Sequence, residues 1–274
     1  MHPIERLRYV ARADGAGPTL LVQEAAGALT GFADDPAALV TACRRLVDRH
    51  PGVGPMWWLA ARVLAADDPA REAWASARVL DDDGTPWVLA EHVPEDATVT
   101  ILGWPELTAA GLGARGDVSV QVVDAWGEGS GLVARLDAAG LHAAEVPESG
   151  VAAAVVASDL VVLEANALGP DGFVAVSGSS AAAAVGRQSG VGVWVVAGEG
   201  RALPGRLWDA LRRRLDGPDD PWDRAEEIAP LSWCDRVVGP AGVADDPSGP
   251  GAARRADCPV APELLKPVGG WSAP

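Results

Sequence analysis

Acidic side chains at the ends of apolar strands are the residues of this sequence best suited to proton transfer. The segment LVVLEANALGPDGFVAVSGSS (160–180) runs from a strand into Glu164 and Asn166, whose side chains share a face of a regular strand. Asp124 ends the run DVSVQVVD, and Glu106 follows the run ATVTILG. Burial would raise the pKa of any of these carboxyls and suit it to general acid or base catalysis. The alternative is that they are solvated loop residues or helix caps.

A second group of small polar residues has the composition of an anion site. Ser177, Gly178, Ser179 and Ser180 open a helix rich in alanine. Free backbone N–H groups at a helix N-terminus, with hydroxyls beside them, suit a phosphate. The alternative is that Ser177 only caps the helix, as serine does without any ligand.

The loop AWGEGSG offers a further place for a ligand to approach the backbone. Gly127, Gly129 and Gly131 stand between a strand and a helix, as in a dinucleotide-binding turn. Their spacing is GxGxG instead of GxGxxG, and Glu128 would face a pyrophosphate. We therefore regard Gly129 and Gly131 as possible ligand contacts and a dinucleotide as the weaker interpretation.

Hydrophobic periodicity predicts the elements that position these groups. Apolar residues recur at helical spacing through the first 80 residues, as in DDPAALVTACRRLVDRH. Beyond residue 86, β-branched runs alternate with helical stretches, which indicates βαβ units and a mainly parallel sheet. We predict an α/β protein with a helical N-terminal domain (1–85) and a Rossmann-like domain (86–274). Residues 239–257 are rich in glycine, proline and aspartate, and we expect them to form a flexible loop.

Composition excludes several classes of function for this chain of 274 residues. The net charge of −16 disfavours nucleic acid and acidic membrane surfaces as partners. The only lysine, Lys266, leaves little scope for Schiff-base or P-loop chemistry. The three cysteines are far apart in the sequence, which favours a reducing compartment and a cytoplasmic location. Neither they nor the four histidines have the spacing of metal ligands, so we expect no metal site. We also expect no cofactor.

The order of these pieces resembles one family, which joins the aldose-phosphate isomerases with the alpha, beta and delta subunits of translation initiation factor 2B. The isomerases include methylthioribose-1-phosphate isomerase and ribose-1,5-bisphosphate isomerase. The resemblance implies a helical domain followed by a Rossmann-like domain, and a homodimer. Four stretches carry it: RHPGVGPMWWLAARVL (49–64), ATVTILGWPELTAAGL (97–112), LVVLEANALGPDGFVAVSGSSAAAAVGRQSGVGVWVVAG (160–198) and CPVAPELL (258–265).

The same resemblance implies a catalytic cysteine in the first loop and a catalytic aspartate after the fourth of the predicted strands. Pro105 stands at the first position and Asn166 at the second, and neither side chain titrates near neutral pH. We expect a divergent, non-catalytic relative that binds a small phosphorylated sugar or nucleotide, or that acts as an interaction subunit. The alternative is an active aldose–ketose isomerase, an intramolecular oxidoreductase, with an acid/base pair rebuilt from Glu164 or Asp124.

Overall fold

A computed structural model describes residues 17–216, 220–247 and 258–266. Residues 1–16 of the predicted helical domain lie outside this described part. So do residues 248–257 of the predicted loop. Within the described part, no helix combines the length and the apolar character needed to cross a bilayer.

Five helices form the first layer, as the sequence predicts. Proline stands near the first position of each helix, where its missing N–H costs no hydrogen bond. Asp35 caps the second helix by accepting from the N–H groups of Ala37 and Ala38. The helices are α1 (Pro18–Leu29), α2 (Pro36–Arg49), α3 (Gly54–Ala65), α4 (Pro69–Asp81) and α5 (Thr85–His92).

A seven-stranded sheet forms the centre of the second layer, in the order β10-β9-β7-β4-β1-β2-β3. All neighbours are parallel except β9 and β10, so the predicted mainly parallel sheet is confirmed. The near-continuous valine and leucine of the central segment LVVLE suit a strand that is covered on both faces. The strands are β1 (Thr98–Leu102), β2 (Ser119–Val123), β3 (His142–Val146), β4 (Leu160–Glu164), β7 (Gly192–Val196), β9 (Arg236–Gly239) and β10 (Gly242–Ala244).

Helices connect these parallel strands, and the order in which successive strands are added to the sheet reverses between β1 and β4. The chain proceeds from β1 to β2 and β3 on one side, then crosses to β4 and β7 on the other. Such a switch point leaves a crevice beyond the carboxyl ends of the strands, where ligands collect. The helices are α6 (Glu106–Gly113), α7 (Gly129–Ala138), α8 (Val151–Val156), α9 (Ser179–Ser189) and α10 (Gly205–Leu215).

A second, antiparallel sheet was not predicted from the sequence. It consists of β5 (Ala167–Leu168), β6 (Gly172–Val176) and β8 (Glu226–Pro230) in that order. β5 is too short to show a period, and β8 begins with two glutamates, so neither carries the alternation typical of a strand. The prediction of a loop over 239–257 was wrong at Gly242–Ala244, because β10 pairs with β9 along the sheet edge.

One of three apolar clusters joins the helical layer to β5, β6 and α10 of the α/β layer. Trp57 and Trp58 of α3 are fully buried, and Trp208 of α10 packs in the same cluster. Trp57 also donates to the Pro51 carbonyl at 2.9 Å. The tail contributes Leu264 to this cluster. The start of α3 is therefore held against the strands that carry the predicted site.

Candidate functional site

A cleft of about 560 Å³ lies at the switch point, where the ends of β1 and β4 meet. Apolar residues from both strands form its floor, and polar residues come from the loops that follow. The start of α1 and the residue before α3 close one side, so both layers contribute to it. The lining comprises Gly17, Pro18, Val53, Leu102, Trp104, Pro105, Glu106, Trp126, Glu128, Leu163, Glu164, Asn166, Val176, Ser179, Ala225 and Glu226.

Glu164 lines this cleft but is held in a buried ion pair. Its Oε1 accepts from Arg201 Nη1 at 2.9 Å, and its Oε2 accepts from the Thr108 N–H at 2.9 Å. Only 7% of the Glu164 side chain and 3% of the Arg201 side chain are exposed. Arg201 also donates to the Ala165 carbonyl at 2.7 Å. Both carboxylate oxygens of Glu164 therefore have partners in the protein, and these contacts tie the end of β4 to α6 and to Arg201.

Asn166 is fixed on both its backbone and its side chain. Its N–H donates to the Val174 carbonyl at 2.7 Å, and its own carbonyl accepts from the Gly54 N–H at 2.9 Å. The side-chain Nδ2 donates to Glu226 Oε1 at 2.6 Å. These contacts join the end of β4 to β6, to the start of α3 and to the start of β8.

Glu226 is the candidate site residue that sequence reasoning missed. It opens β8, whose register places it opposite Val176. Its Oε2 lies against Gly52, where an added Cβ would stand 1.9 Å from that oxygen, so a larger residue there would displace the Glu226 carboxyl. Burial raises the pKa of the Glu226 carboxyl, and the hydrogen bond from Asn166 opposes this rise. The stretch DRAEEIAP contains no catalytic motif. Its one signal in the sequence is the pair of adjacent glutamates that precedes an apolar pair.

Glu106 supplies a second partly buried carboxyl at the first turn of α6. Burial raises its pKa, the Glu164 charge adds to the rise, and Arg201 and Arg135 oppose it. Pro105 stands just before it, is buried, and occupies the N-cap position of α6. The position where the family resemblance implies a thiol therefore has no proton to give.

Asp124 does not line the cleft. Its Oδ1 accepts from the Gly129 N–H at 2.8 Å, so it caps α7, which is the alternative role considered for it. Gly131 packs against the Trp104 ring, and an added Cβ at this position would stand 3.0 Å from that ring. Gly129 and Gly131 thus serve the packing of this loop, and neither contributes to the cleft lining.

The serine cluster is only partly brought to the cleft. Ser179 lines it, is buried, and donates its hydroxyl to the Val176 carbonyl at 2.7 Å. Ser177 does not cap the helix: its hydroxyl donates to the Arg224 carbonyl, and Gly178 is the N-cap residue with φ of 98°. The Ser180 N–H donates to Glu227 Oε1 at 2.7 Å. A carboxylate of the chain itself therefore sits where the sequence predicted a phosphate.

Two tryptophans form the outer rim of the cleft. Trp104 is 38% exposed and Trp126 is 60% exposed. The Arg135 guanidinium lies 5.9 Å from the Trp104 ring centre, within cation–π range. Trp126 has a φ of 64°, a left-handed conformation that is strained for a residue with a side chain.

The fold is that of initiation factor 2B subunits and of a sugar-phosphate isomerase. A Pyrococcus horikoshii translation initiation factor eIF-2B superposes with a TM-score of 0.75 and 13% identity, over 89% of this chain and 97% of that one. The Pyrococcus horikoshii 5-methylthioribose 1-phosphate isomerase gives 0.63 and 14%, over 89% and 86%. A chain of the tetrameric eIF2B-beta2-delta2 complex from C. thermophilum gives 0.67 and 16%, over 88% and 90%.

These comparisons confirm the predicted resemblance at the level of the fold. The shared architecture covers both the helical layer and the Rossmann-like layer. No family sequence model matches the chain, and no curated protein matches it in sequence. The function of this chain therefore has to be argued from its own cleft.

Proposed function

We propose that this protein is a divergent, non-catalytic relative of the initiation factor 2B and sugar-phosphate isomerase proteins that binds a small polar molecule. The observation that carries the proposal is the cleft of about 560 Å³ at the switch point, which has an apolar floor and convergent polar groups. Such a concave site at a strand-order reversal is the usual place for a small ligand in this class of fold.

The first reason to propose binding without catalysis lies in the two positions that the family resemblance marks as chemical. Pro105 has no titratable side chain, and the Asn166 amide does not ionise near neutral pH. Glu164, the nearest acid on the same strand, is neutralised by Arg201 at 2.9 Å. Pro105 and Asn166 therefore cannot move a proton, and both carboxylate oxygens of Glu164 already have partners.

A thermal-shift screen of sugars, sugar phosphates, amines and nucleosides tests the binding proposal. Val53→Trp would fill the cleft from the edge of α3, whereas Trp87→Ala changes an indole that is 69% exposed outside it. A true ligand should raise the melting temperature of wild type and of Trp87→Ala but not that of Val53→Trp. If no compound distinguishes Val53→Trp from wild type, the cleft is not a ligand site.

A second candidate, an active isomerase, is favoured by one specific observation. Glu106 and Glu226 both line the cleft, and burial raises the pKa of each, as proton-transfer groups require. A rebuilt acid/base pair would therefore consist of these two residues and not of Glu164 or Asp124. Turnover of methylthioribose 1-phosphate or ribose 1,5-bisphosphate above about 1 per second, lost in Glu226→Gln, would establish it in place of the first proposal.

We further propose that the protein acts as a homodimer in the cytoplasm. One similar structure is a tetrameric complex of two kinds of eIF2B subunit, and two-fold dimers are the commonest oligomers. Cys43, Cys234 and Cys258 are buried and form no disulfide within the described residues, which suits a reducing compartment. Light scattering at micromolar concentration tests the assembly, and a clean monomer mass would contradict it.

A further inference from the structure

The helices that begin around the cleft carry carboxylates of the chain itself at their N-termini. A free helix N-terminus attracts phosphate because its N–H groups are unpaired and its dipole is positive. Here such N–H groups already donate to carboxylates of the chain. A phosphate would therefore find these donors occupied and would be repelled by the negative charge of the carboxylates. The pairs are Thr108 N–H with Glu164, Gly129 N–H with Asp124, and Ser180 N–H with Glu227, at 2.9, 2.8 and 2.7 Å.

Two carboxylates of the cleft form no ion pair within the part of the chain that the structure describes, although Arg201 and Arg135 lie near enough to Glu106 to oppose the rise in its pKa. Glu164 has Arg201, but Glu106 and Glu226 form no ion pair with any described residue. Both are partly buried, and a carboxylate taken from water without a countercharge is destabilised. Glu128 adds a further negative charge at the exposed rim. A cation in the cleft would supply the missing charge.

The indoles at the rim favour an organic cation. Trp104 and Trp126 line the same cleft and leave 38% and 60% of their surface exposed. The face of an indole attracts ammonium groups, and aromatic side chains are the usual cage for quaternary ammonium ligands. Trp126 has a positive φ, a backbone conformation that glycine adopts most easily, and yet the residue at this position is a tryptophan. The strained conformation thus keeps an aromatic side chain at the mouth of the cleft.

We propose that the cleft selects a small organic cation, an amine or a quaternary ammonium compound, and rejects phosphorylated ligands. The inference rests on the proposed function, because it names the chemical class of the ligand for that cleft. Glu106 and Glu226 supply the countercharge, Trp104 and Trp126 the aromatic face, and the Asn166 amide orients Glu226. An amine could also donate hydrogen bonds to the carboxylate oxygens, which are acceptors only.

Choline provides a probe whose own charge does not change with pH. Its neutral carbon isostere, dimethylbutanol, has the same shape without the charge, and phosphocholine adds a phosphate to it. Calorimetric titration of the full-length protein should show choline or ethanolamine binding at least about tenfold more tightly than dimethylbutanol, which corresponds to about 1.4 kcal/mol. Phosphocholine should bind more weakly than choline, and calcium chloride should not compete.

Matched variants separate the charge from the aromatic face. Glu226→Gln and Glu106→Gln should each weaken choline binding several-fold, whereas Glu91→Gln, an exposed change on α5, should leave it unchanged. Trp126→Ala should weaken it, and Trp87→Ala, which removes another exposed indole outside the cleft, should not. Circular dichroism of each variant checks that the fold is retained.

The pH dependence adds a readout that a purely structural role would not produce. The groups that act on Glu106 are Glu164, Arg201 and Arg135, and the group that acts on Glu226 is Asn166. Choline affinity should fall as pH decreases through the raised pKa values of the two cleft carboxyls, because protonation removes the countercharge. The Glu106→Gln, Glu226→Gln double variant should lose this dependence.

The outcomes distinguish this inference from the proposed function. If dimethylbutanol or phosphocholine binds as tightly as choline and Val53→Trp abolishes that binding, the cation inference is wrong and the cleft remains a ligand site. If none of the probes binds and the wider screen finds no ligand either, both proposals are wrong. If choline binds equally well to both glutamine variants, its site lies elsewhere and the inference fails.

Discussion

The side-chain amide of Asn166 donates to the carboxylate of Glu226 at 2.6 Å, across the gap between the end of β4 and the start of β8. The family resemblance implies an aspartate at the position of Asn166. In this chain the acid comes from another strand, 60 residues further on, and the amide positions it. The tertiary structure therefore places a carboxyl group beside Asn166, although the side chain at that position is an amide.

The first prediction concerns the pH dependence of stability. Burial raises the pKa of Glu226 in the folded state, so its contribution to stability is complete below the pKa of an ordinary glutamate and is lost as pH rises through the raised value. Glu226→Gln keeps an acceptor for Asn166 and cannot ionise. Its free energy of unfolding should equal that of wild type in acid and exceed it increasingly toward neutral pH. Urea denaturation across this range, with Glu91→Gln as control, measures the difference, and a less stable variant at neutral pH would contradict it.

The second prediction concerns the buried ion pair of the cleft wall. Arg201→Met leaves the Glu164 carboxylate buried without its partner and removes the hydrogen bond to the Ala165 carbonyl. The variant should lose about 3–5 kcal/mol of unfolding free energy. Arg212→Met, which breaks an exposed pair, should lose less than about 1 kcal/mol.

A double variant tests whether charge is the cause of that loss. Arg201→Met combined with Glu164→Leu removes both charges and should recover part of the stability. No recovery would mean that the packing of Arg201, not its charge, supports the wall.

The third prediction concerns the contact between the helical layer and the site. A Cβ at Gly54 would stand 2.8 Å from the Asn166 carbonyl oxygen, which the Gly54 N–H now binds. Gly54→Ala should therefore cost about 1–3 kcal/mol and weaken any ligand of the cleft. Gly113→Ala places a methyl group where no atom lies within 4 Å and serves as the control. Equal denaturation midpoints for the two variants would exclude a close contact at Gly54.

The fourth prediction concerns the carboxylate at the start of α9. Glu227→Ala frees the Ser180 N–H, which should cost about 1 kcal/mol of stability and uncover an anion site. Inorganic phosphate should then shift the Ser180 amide resonance of the variant but not that of wild type. Glu227→Gln retains the acceptor oxygen and should behave like wild type. A phosphate shift of the same size in wild type would show that Glu227 does not block this terminus.

Much of the scaffold was predictable because its signals are local. The β-branched runs of β1, β2, β4 and β7 and the proline-led helices of the first layer carry their period in consecutive residues. Strands that alternate with helices then require a mainly parallel sheet, and the sheet is confirmed. Gly242–Ala244 shows the limit of this logic, because glycine and proline around a strand indicate a loop until an edge partner is known.

The sequence by itself determined the α/β fold, the absence of titratable groups at Pro105 and Asn166, and the acidic charge of the chain. Only the tertiary structure decided that Arg201 neutralises Glu164, that Asp124 caps a helix, and that Glu226 faces Asn166. Spacing along the chain reports which residues share a strand or a helix face, but not which side chains meet across 37 or 60 residues. Pairing of that kind depends on how the sheets and helices pack. In this cleft it decides which carboxyls form an ion pair within the described residues and which do not.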